Sequence, residues 1–181
     1  MPAISRLSHL SQPSRLVVAA AVVDSLAEPT ALLCAARSYP PGLAGRFELP
    51  GGKVEPGETP TQALVRELAE EVSLTVRLGT ELVPPAALAA APPPAPSAPS
   101  APSTAAACGD NAPAWPVTGG LRMRVWLAEP ADRTGTGTAG TSHQLLEWTA
   151  LEAVTSLPWL EADVAIIHTL LGRLGHLPRC F

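Results

Sequence analysis

Three glutamates in the middle of the chain have the type and spacing for metal-dependent phosphate chemistry. Glu67, Glu70 and Glu71 lie at positions i, i+3 and i+4, which places their side chains together on one face of an α-helix. Like charges this close destabilise a helix unless a cation neutralises them. Carboxylates with room for water suit Mg²⁺ or Mn²⁺, which bridge to phosphate groups. The alternative, a solvated acidic helix face, leaves Glu58 and Arg66 unexplained.

The segment around these glutamates predicts the helix that must position them. Thr59 is suited to be the N-cap, Pro60 occupies the first helical position, and Gln62 completes a capping box with Thr59. Apolar residues recur every four positions on a different face and should pack on a core: Leu64, Leu68 and Val72. A glycine pair, Gly51-Gly52, precedes this helix and predicts a tight turn into it.

The same stretch resembles the Nudix box, Gly-x5-Glu-x7-Arg-Glu-U-x-Glu-Glu-x-Gly-U with U aliphatic, beginning at Gly52. The positions in register are Glu58, Arg66, Glu67, Leu68, Glu70, Glu71 and Leu74. Ser73 departs from the motif, because the last glycine of the box stands there in the family. That glycine closes the helix in a left-handed conformation, so serine should cost stability without removing a catalytic group.

The resemblance implies roles for the residues that match the box. Glu70 and Glu71 would be metal ligands, assisted by the Gly51 carbonyl, and Glu67 would be a further ligand or would orient the attacking water. The structural residues of the box would be Gly52, Glu58 and Arg66, with Arg66 paired to Glu58. Outside the box, Arg37 and Lys53 would bind substrate phosphates, the alternative being solvated surface charges.

The resemblance extends to the segment before the box, from Arg37 to Lys53. This segment looks like that of MutT-type nucleoside triphosphate pyrophosphohydrolases. It is most like the actinobacterial members that act on cytidine nucleotides. The resemblance implies Mg²⁺-dependent conversion of CTP, dCTP or an oxidised nucleotide such as 8-oxo-dGTP to NMP and pyrophosphate, in nucleotide-pool control or DNA repair. Two alternatives remain open. One is hydrolysis of another nucleoside diphosphate derivative, such as a nucleotide sugar or dinucleoside compound; the other is a catalytically silent nucleotide-binding module.

Two further residues are candidates outside the box. Asp163 precedes the closing helix and either caps it or faces the nucleobase, as the matching Asp does in cytidine-preferring relatives. Relatives commonly carry an acidic residue six positions before the tryptophan that corresponds to Trp148, and this chain has Ser142 followed by His143. His143 could replace the missing acid as general base, but the favoured expectation is an exposed loop residue.

The remaining pattern predicts an α+β protein with the Nudix fold, an α/β/α sandwich with a mixed sheet. Predicted strands span residues 15–23, 30–36, 47–50, 75–83, 121–128 and 145–148. A short helix is expected over 149–154, with a capping box of Thr149 and Glu152, and a closing helix over 163–174. Its predicted apolar face consists of Val164, Ile167, Leu170, Leu171 and Leu174.

The predicted domain spans residues 15–177, after a flexible tail over 1–14. A tract of Pro, Ala and Ser interrupts it and is interpreted, over residues 84–114, as a disordered insertion because it cannot bury enough surface to offset ordering its backbone.

Composition limits the partners and the compartment. The 181 residues carry a net charge of −4, which offers no basic surface for a nucleic acid polymer, so a small-molecule nucleotide is the expected partner. The apolar run from Leu16 to Val23 is too short to span a bilayer. The cysteines are odd in number and unpaired in any metal-ligand pattern, which favours reduced thiols and a cytoplasmic protein, monomeric or homodimeric: Cys34, Cys108 and Cys180.

Overall fold

The computed structural model describes residues 16–89, 112–132 and 137–176. Within these ranges the strands are β1 (Leu16–Val22), β2 (Ala31–Arg37), β3 (Phe47–Glu48), β4 (Gly51–Lys53), β5 (Val76–Glu81), β6 (Trp115–Val117), β7 (Leu121–Pro130) and β8 (His143–Ala150), and the helices are α1 (Pro60–Val72) and α2 (Glu161–Leu174). The strands form two sheets, a five-stranded one in the order β4-β1-β7-β5 with β6 also paired to β7, and a three-stranded one in the order β3-β2-β8. Strands β1 and β7 are parallel, which makes the larger sheet mixed. The predicted α+β class is confirmed.

Strand β1 lies at the centre of the larger sheet and is buried on both faces. Its even-numbered residues from Leu16 to Val22 belong to one hydrophobic cluster with the apolar face of α1. The odd-numbered residues Ala19 and Ala21 belong to a second cluster with α2. The near-continuous apolar run of β1 is therefore that of a strand covered by helices on both sides. Cys34 is fully buried in β2, and burial raises the pKa of its thiol to about 12.

Helix α1 begins as its sequence predicts. The Thr59 side chain accepts a hydrogen bond from the Gln62 amide, and the Gln62 side chain accepts one from the Thr59 amide, so the capping box is complete. Leu64, Leu68 and Val72 are fully buried. At the other end Ser73 adopts φ 54° and ψ 35°, the left-handed conformation that the family's glycine would provide. It is the one non-glycine residue with positive φ in the described part of the chain.

We expect Ser73→Gly to raise the free energy of unfolding by about 1 kcal/mol. The left-handed conformation costs a residue with Cβ roughly 1–2 kcal/mol, and the greater entropy of glycine in the unfolded chain offsets part of that gain. Urea unfolding measures the change, with Ser73→Ala as the control because alanine keeps the Cβ. Equal stability of the glycine and alanine variants would contradict strain at this position.

Three predictions near the C-terminus are corrected. Residues 149–154 form no α-helix: Thr149 lies in β8, and the chain continues as a turn and a 3-10 helix (Val154–Ser156). Strand pairing with β2 extends as far as Ala150, so Thr149 is not available as a cap. Helix α2 starts at Glu161 after Leu160, which rules out Asp163 as its N-cap. Its buried face includes Ile166, whereas Val164 is 41% exposed.

The ends of the predicted 84–114 insertion are built into the domain. Pro84 and Ala114 are buried, a 3-10 helix spans Ala86–Leu88, and the Trp115 indole donates a hydrogen bond of 2.8 Å to the Leu82 carbonyl. Residues 90–111, the tail over 1–14, Cys108, Cys180 and the predicted domain end at residue 177 lie outside the described residues. In the described part of the chain, neither helix is long and apolar enough to cross a membrane.

Deleting residues 90–111 and joining the ends through a Gly/Ser linker should leave the melting temperature and turnover nearly unchanged. Loop length changes closure entropy only slowly. The matched variant deletes 84–114 and should be less stable, because it also removes buried Pro84 and Ala114. Thermal unfolding of both variants checks this, and a large loss of soluble protein from the shorter deletion would contradict it.

Candidate active site

The glycine pair allows β4 to approach β1 and α1 closely. A Cβ on Gly51 would lie 2.0 Å from the Val18 carbonyl oxygen of the neighbouring strand. A Cβ on Gly52 would lie 2.2 Å from the carboxyl carbon of Glu67. Glycine at both positions thus lets the backbone of β4 lie against the first of the three acidic side chains.

Arg66 connects the loop before α1 to the acidic face of the helix. Its Nε and Nη2 donate to the two carboxylate oxygens of Glu58 at 2.7 and 3.0 Å, and Nη2 also donates to the Lys53 carbonyl at 3.1 Å. The two hydrogen bonds from Arg66 to Glu58, with a third from the Glu55 amide, lower the pKa of Glu58 to about 2. The pairing that the resemblance implied for Arg66 and Glu58 is present.

The three helix glutamates differ in environment. Glu67 and Glu70 each accept a hydrogen bond from Arg66 Nη1, at 2.9 and 3.2 Å, with side chains 14% and 61% exposed. Glu71 is half-buried, and burial is the main cause of its raised pKa, with the charges of Glu67 and Glu48 raising it further and His143 and the Gly51 amide lowering it. Among the described residues, no group of three acidic, His or Cys side chains converges closely enough to hold a metal ion.

Glu48 was missed by the sequence analysis. Its Oε2 accepts a hydrogen bond from Arg37 Nη1 and its Oε1 lies 3.0 Å from His143 Nε2, and the side chain is 15% exposed. The signal was present, because Phe47 and Leu49 are buried in the core and Glu48 alternates to the opposite face. Arg37, predicted to bind phosphate, is paired with Glu48 and also donates to the Tyr39 carbonyl at 3.0 Å. Lys53 is exposed at the end of β4.

The expectation that His143 is an exposed loop residue is wrong. It is the first residue of β8, pairs with Arg37 of β2, and has a side chain only 2% exposed. The strand pairing turns its ring inward toward Glu48, and its Nδ1 is buried without a hydrogen-bond partner. Ser142, at the position of the family's acidic residue, accepts a hydrogen bond from the Ser38 amide through its carbonyl.

Asp163 lies in the first turn of α2 and is 2% exposed. Its Oδ1 accepts a hydrogen bond from the Leu49 amide at 3.3 Å. Burial raises its pKa to about 7, and the nearby charge of Glu48 acts in the same direction. The fold thus brings Asp163 to the strand segment that precedes the glycine pair.

The donor types at this site fit a divalent cation. Carboxylates and a backbone carbonyl are the ligands that Mg²⁺ and Mn²⁺ prefer. Burial, and then the negative charges of Glu67 and Glu48, raise the pKa of Glu71, and a cation would relieve the repulsion between these charges. The residues that would hold the ion are Glu67, Glu70 and Glu71 with the Gly51 carbonyl, and Glu70 is exposed enough to change its rotamer.

Comparison with known proteins places this arrangement in a family. The sequence model of the NUDIX domain family matches residues 14–169 of the chain. The chain belongs to this family. A putative 8-oxo-dGTP diphosphatase 2 from Mycobacterium tuberculosis is 54% identical over 63 residues, which are 35% of this chain and 42% of the relative. A CTP pyrophosphohydrolase from Escherichia coli is 48% identical over 48 residues, 26% of this chain and 36% of the relative. The matched segments span less than half the length of either relative.

Among solved structures, the solution structure of the E. coli ORF135 protein is similar over 91% of this chain and 94% of its own. The TM-score is 0.59 and the sequence identity 25%. Together with the family match over residues 14–169, this likeness confirms the Nudix fold expected from the sequence.

Proposed function

We propose that this protein is a MutT-type pyrophosphohydrolase that converts a nucleoside or deoxynucleoside triphosphate to NMP and pyrophosphate with Mg²⁺. The observation that carries the proposal is the environment of Glu71, whose ionised form is disfavoured by burial and by the negative charges of Glu67 and Glu48, while Glu67 lies against Gly52 of the glycine turn. Support for the substrate class comes from the relatives, whose names describe 8-oxo-dGTP and CTP as substrates.

The chain's own residues have separable tasks in this reaction. Glu67, Glu70, Glu71 and the Gly51 carbonyl would hold the ion, which when bound neutralises phosphate charge and lowers the pKa of the attacking water. Arg66 holds the loop against the helix through Glu58. Lys53, exposed beside the glycine pair, would contact phosphate.

Arg37 is paired with Glu48. It would contact substrate only if its guanidinium bound Glu48 and the phosphate together or gave up the ion pair. The first role of Arg37 is therefore to pair with Glu48, and phosphate binding would be its second.

Base choice within the proposal rests on Asp163. Above its raised pKa of about 7, the Asp163 carboxylate is ionised and only accepts hydrogen bonds, which matches the exocyclic amino group of cytosine. We therefore propose CTP or dCTP as the preferred substrate over 8-oxo-dGTP.

A nucleotide panel with Mg²⁺ and separate detection of pyrophosphate and phosphate tests the function. The expected result is release of pyrophosphate from nucleoside triphosphates, with CTP and dCTP used best. The panel includes nucleotide sugars and dinucleoside polyphosphates, and preferential cleavage of those compounds would replace the proposed substrate class. Nucleotide binding without turnover of any compound would instead indicate a silent binding module.

A further inference from the structure

The chain segment from Gly137 to His143, here called the strap, lies against the last turn of α1. The Thr138 amide donates to the Val72 carbonyl and the Gly140 amide donates to the Glu71 carbonyl, each at 2.9 Å. These are final carbonyls of the helix, which have no partner within it. The strap thus satisfies the backbone of the turn that carries Glu70 and Glu71.

The other side of the strap is attached to the loop after β2. The Ser38 hydroxyl donates to the carbonyls of Thr141 and Ser142 at 2.9 and 3.0 Å, and the Ser38 amide donates to the Ser142 carbonyl at 3.0 Å. The strap therefore joins α1 to the loop that follows Arg37.

Gly140 makes the closest approach in this contact. A Cβ there would lie 2.6 Å from the Glu71 carbonyl oxygen and 3.4 Å from the carbonyl carbon. These atoms are backbone, so a side chain at residue 140 requires the strap or the last turn of α1 to move. Gly140 does not have positive φ, so an alanine there tests the contact itself and not backbone strain.

The strap ends at His143, whose ring contacts the side chain of Glu48. Its Nε2 lies 3.0 Å from Glu48 Oε1, and Glu48 is held on its other oxygen by Arg37. The negative charge of Glu48 acts on Glu71. One short segment consequently contacts the main chain of Glu71 through Gly140 and, through His143, contacts Glu48, whose charge acts on Glu71.

We propose that the strap is a positioning element for Glu71, in which Gly140 sets the location of the last turn of α1 and His143 fixes Glu48 beside the Glu71 carboxylate. The proposal rests on the proposed function for its kinetic consequences. Neither residue need touch substrate. Both act through Glu71, and misplacement of a reacting or coordinating group by about 1 Å can cost on the order of 100-fold in rate.

The first test compares Gly140→Ala with Gly42→Ala. Gly42, in the 3-10 helix Pro41–Leu43, has no atom within 4 Å of its would-be Cβ and no positive φ. We expect Gly140→Ala to lower kcat at least about tenfold with KM for the nucleotide changed less than about threefold. Mn²⁺ affinity, measured from the electron paramagnetic resonance signal of the free ion, should weaken by about tenfold. Gly42→Ala should match wild type in both measurements.

The second test compares His143→Leu with His143→Gln. Leucine fills space but cannot bond to Glu48, whereas the glutamine amide can donate to it. We expect the leucine variant to lose at least about tenfold in kcat and in Mn²⁺ affinity, and glutamine to restore both to within about threefold of wild type. A purely structural role for the ring would give equal losses in the two variants, in step with their melting temperatures. This pair also decides the proposal if Gly140→Ala is insoluble.

The outcomes separate this proposal from the proposed function. Mn²⁺ binding needs no substrate, so its weakening in Gly140→Ala and His143→Leu supports the strap even if wild type hydrolyses no nucleotide, a result that would refute the function alone. Wild-type Mn²⁺ affinity and kcat in a folded Gly140→Ala would overturn the role of Gly140. Equal behaviour of the leucine and glutamine variants would overturn that of His143.

Discussion

Glu71→Gln is expected to reduce nucleotide turnover by about 10³-fold or more while the domain stays folded. A bound divalent cation contributes several kcal/mol of charge stabilisation to the transition state, and each 1.36 kcal/mol is a factor of ten in rate. Glutamine keeps the size of the side chain but loses the charge that holds the ion. Glu70→Gln should likewise abolish most turnover. Steady-state kinetics with pyrophosphate detection in Mg²⁺ measure both effects.

Glu71→Gln should lower turnover but should not lower the stability of the domain. The pKa of Glu71 is raised by burial and by Glu67 and Glu48, so the folded state disfavours the ionised form, and stability falls as pH rises through the folded pKa. Glutamine removes this repulsion, so the variant should melt no lower than wild type without metal at neutral pH.

The control for Glu71 is Glu152→Gln, at an exposed glutamate in the turn after β8, which should alter neither rate nor melting temperature. Near wild-type activity of Glu71→Gln in Mg²⁺ would refute the metal assignment.

Asp163→Asn is expected to lower kcat/KM for CTP and dCTP about 5- to 150-fold. The basis is a cost of about 1–3 kcal/mol for leaving a buried hydrogen-bonding partner unsatisfied. In the proposed complex Asp163 would accept from the cytosine amino group, whereas asparagine presents both a donor and an acceptor. Competition between dCTP and 8-oxo-dGTP, for wild type and variant at pH 8, measures the change in preference. A wild-type enzyme that favours 8-oxo-dGTP tenfold would contradict this assignment, as would unaltered cytidine kinetics in the variant.

The stability of Asp163→Asn relative to wild type should depend on pH. The pKa of Asp163 is raised from 3.8 to about 7 in the folded state, so the folded protein retains a proton that the unfolded chain has lost. The free energy of unfolding attributable to this group therefore decreases as pH rises from about 4 to about 7. Asparagine has no such dependence, so the variant should gain stability relative to wild type between pH 5 and pH 8 in urea unfolding. A constant difference would indicate that Asp163 is already ionised at pH 5.

The parts of the site predicted from the sequence are those encoded over short distances. The capping box of Thr59 and Gln62, the buried stripe of α1 and the Arg66–Glu58 pair depend on residues within a few turns of one another. Helical periodicity and side-chain chemistry suffice to predict such contacts. The central strand was predicted for the same reason, because its apolar residues are consecutive.

Local patterns failed where a long-range contact competed with them. Thr149 and Glu152 have the spacing of a capping box, but pairing of β8 with β2 keeps Thr149 extended. Val164 has the spacing of a buried residue on α2, but the orientation of the helix against the core buries Ile166 instead. Tertiary packing overrode a weak local preference in both cases.

The sequence by itself determined the family, the fold class and the acidic helix, because one contiguous stretch contains the motif. Only the tertiary structure decided that His143 is buried against Glu48 and that Asp163 accepts from the Leu49 amide. The paired residues are separated by 95 and 114 positions in the chain. Strand pairing and the packing of α2 bring them together, and neither leaves a periodic signal at the residues themselves. Burial then raised the pKa of Asp163, since desolvation of a carboxylate depends on what surrounds it in space and not on its neighbours in sequence.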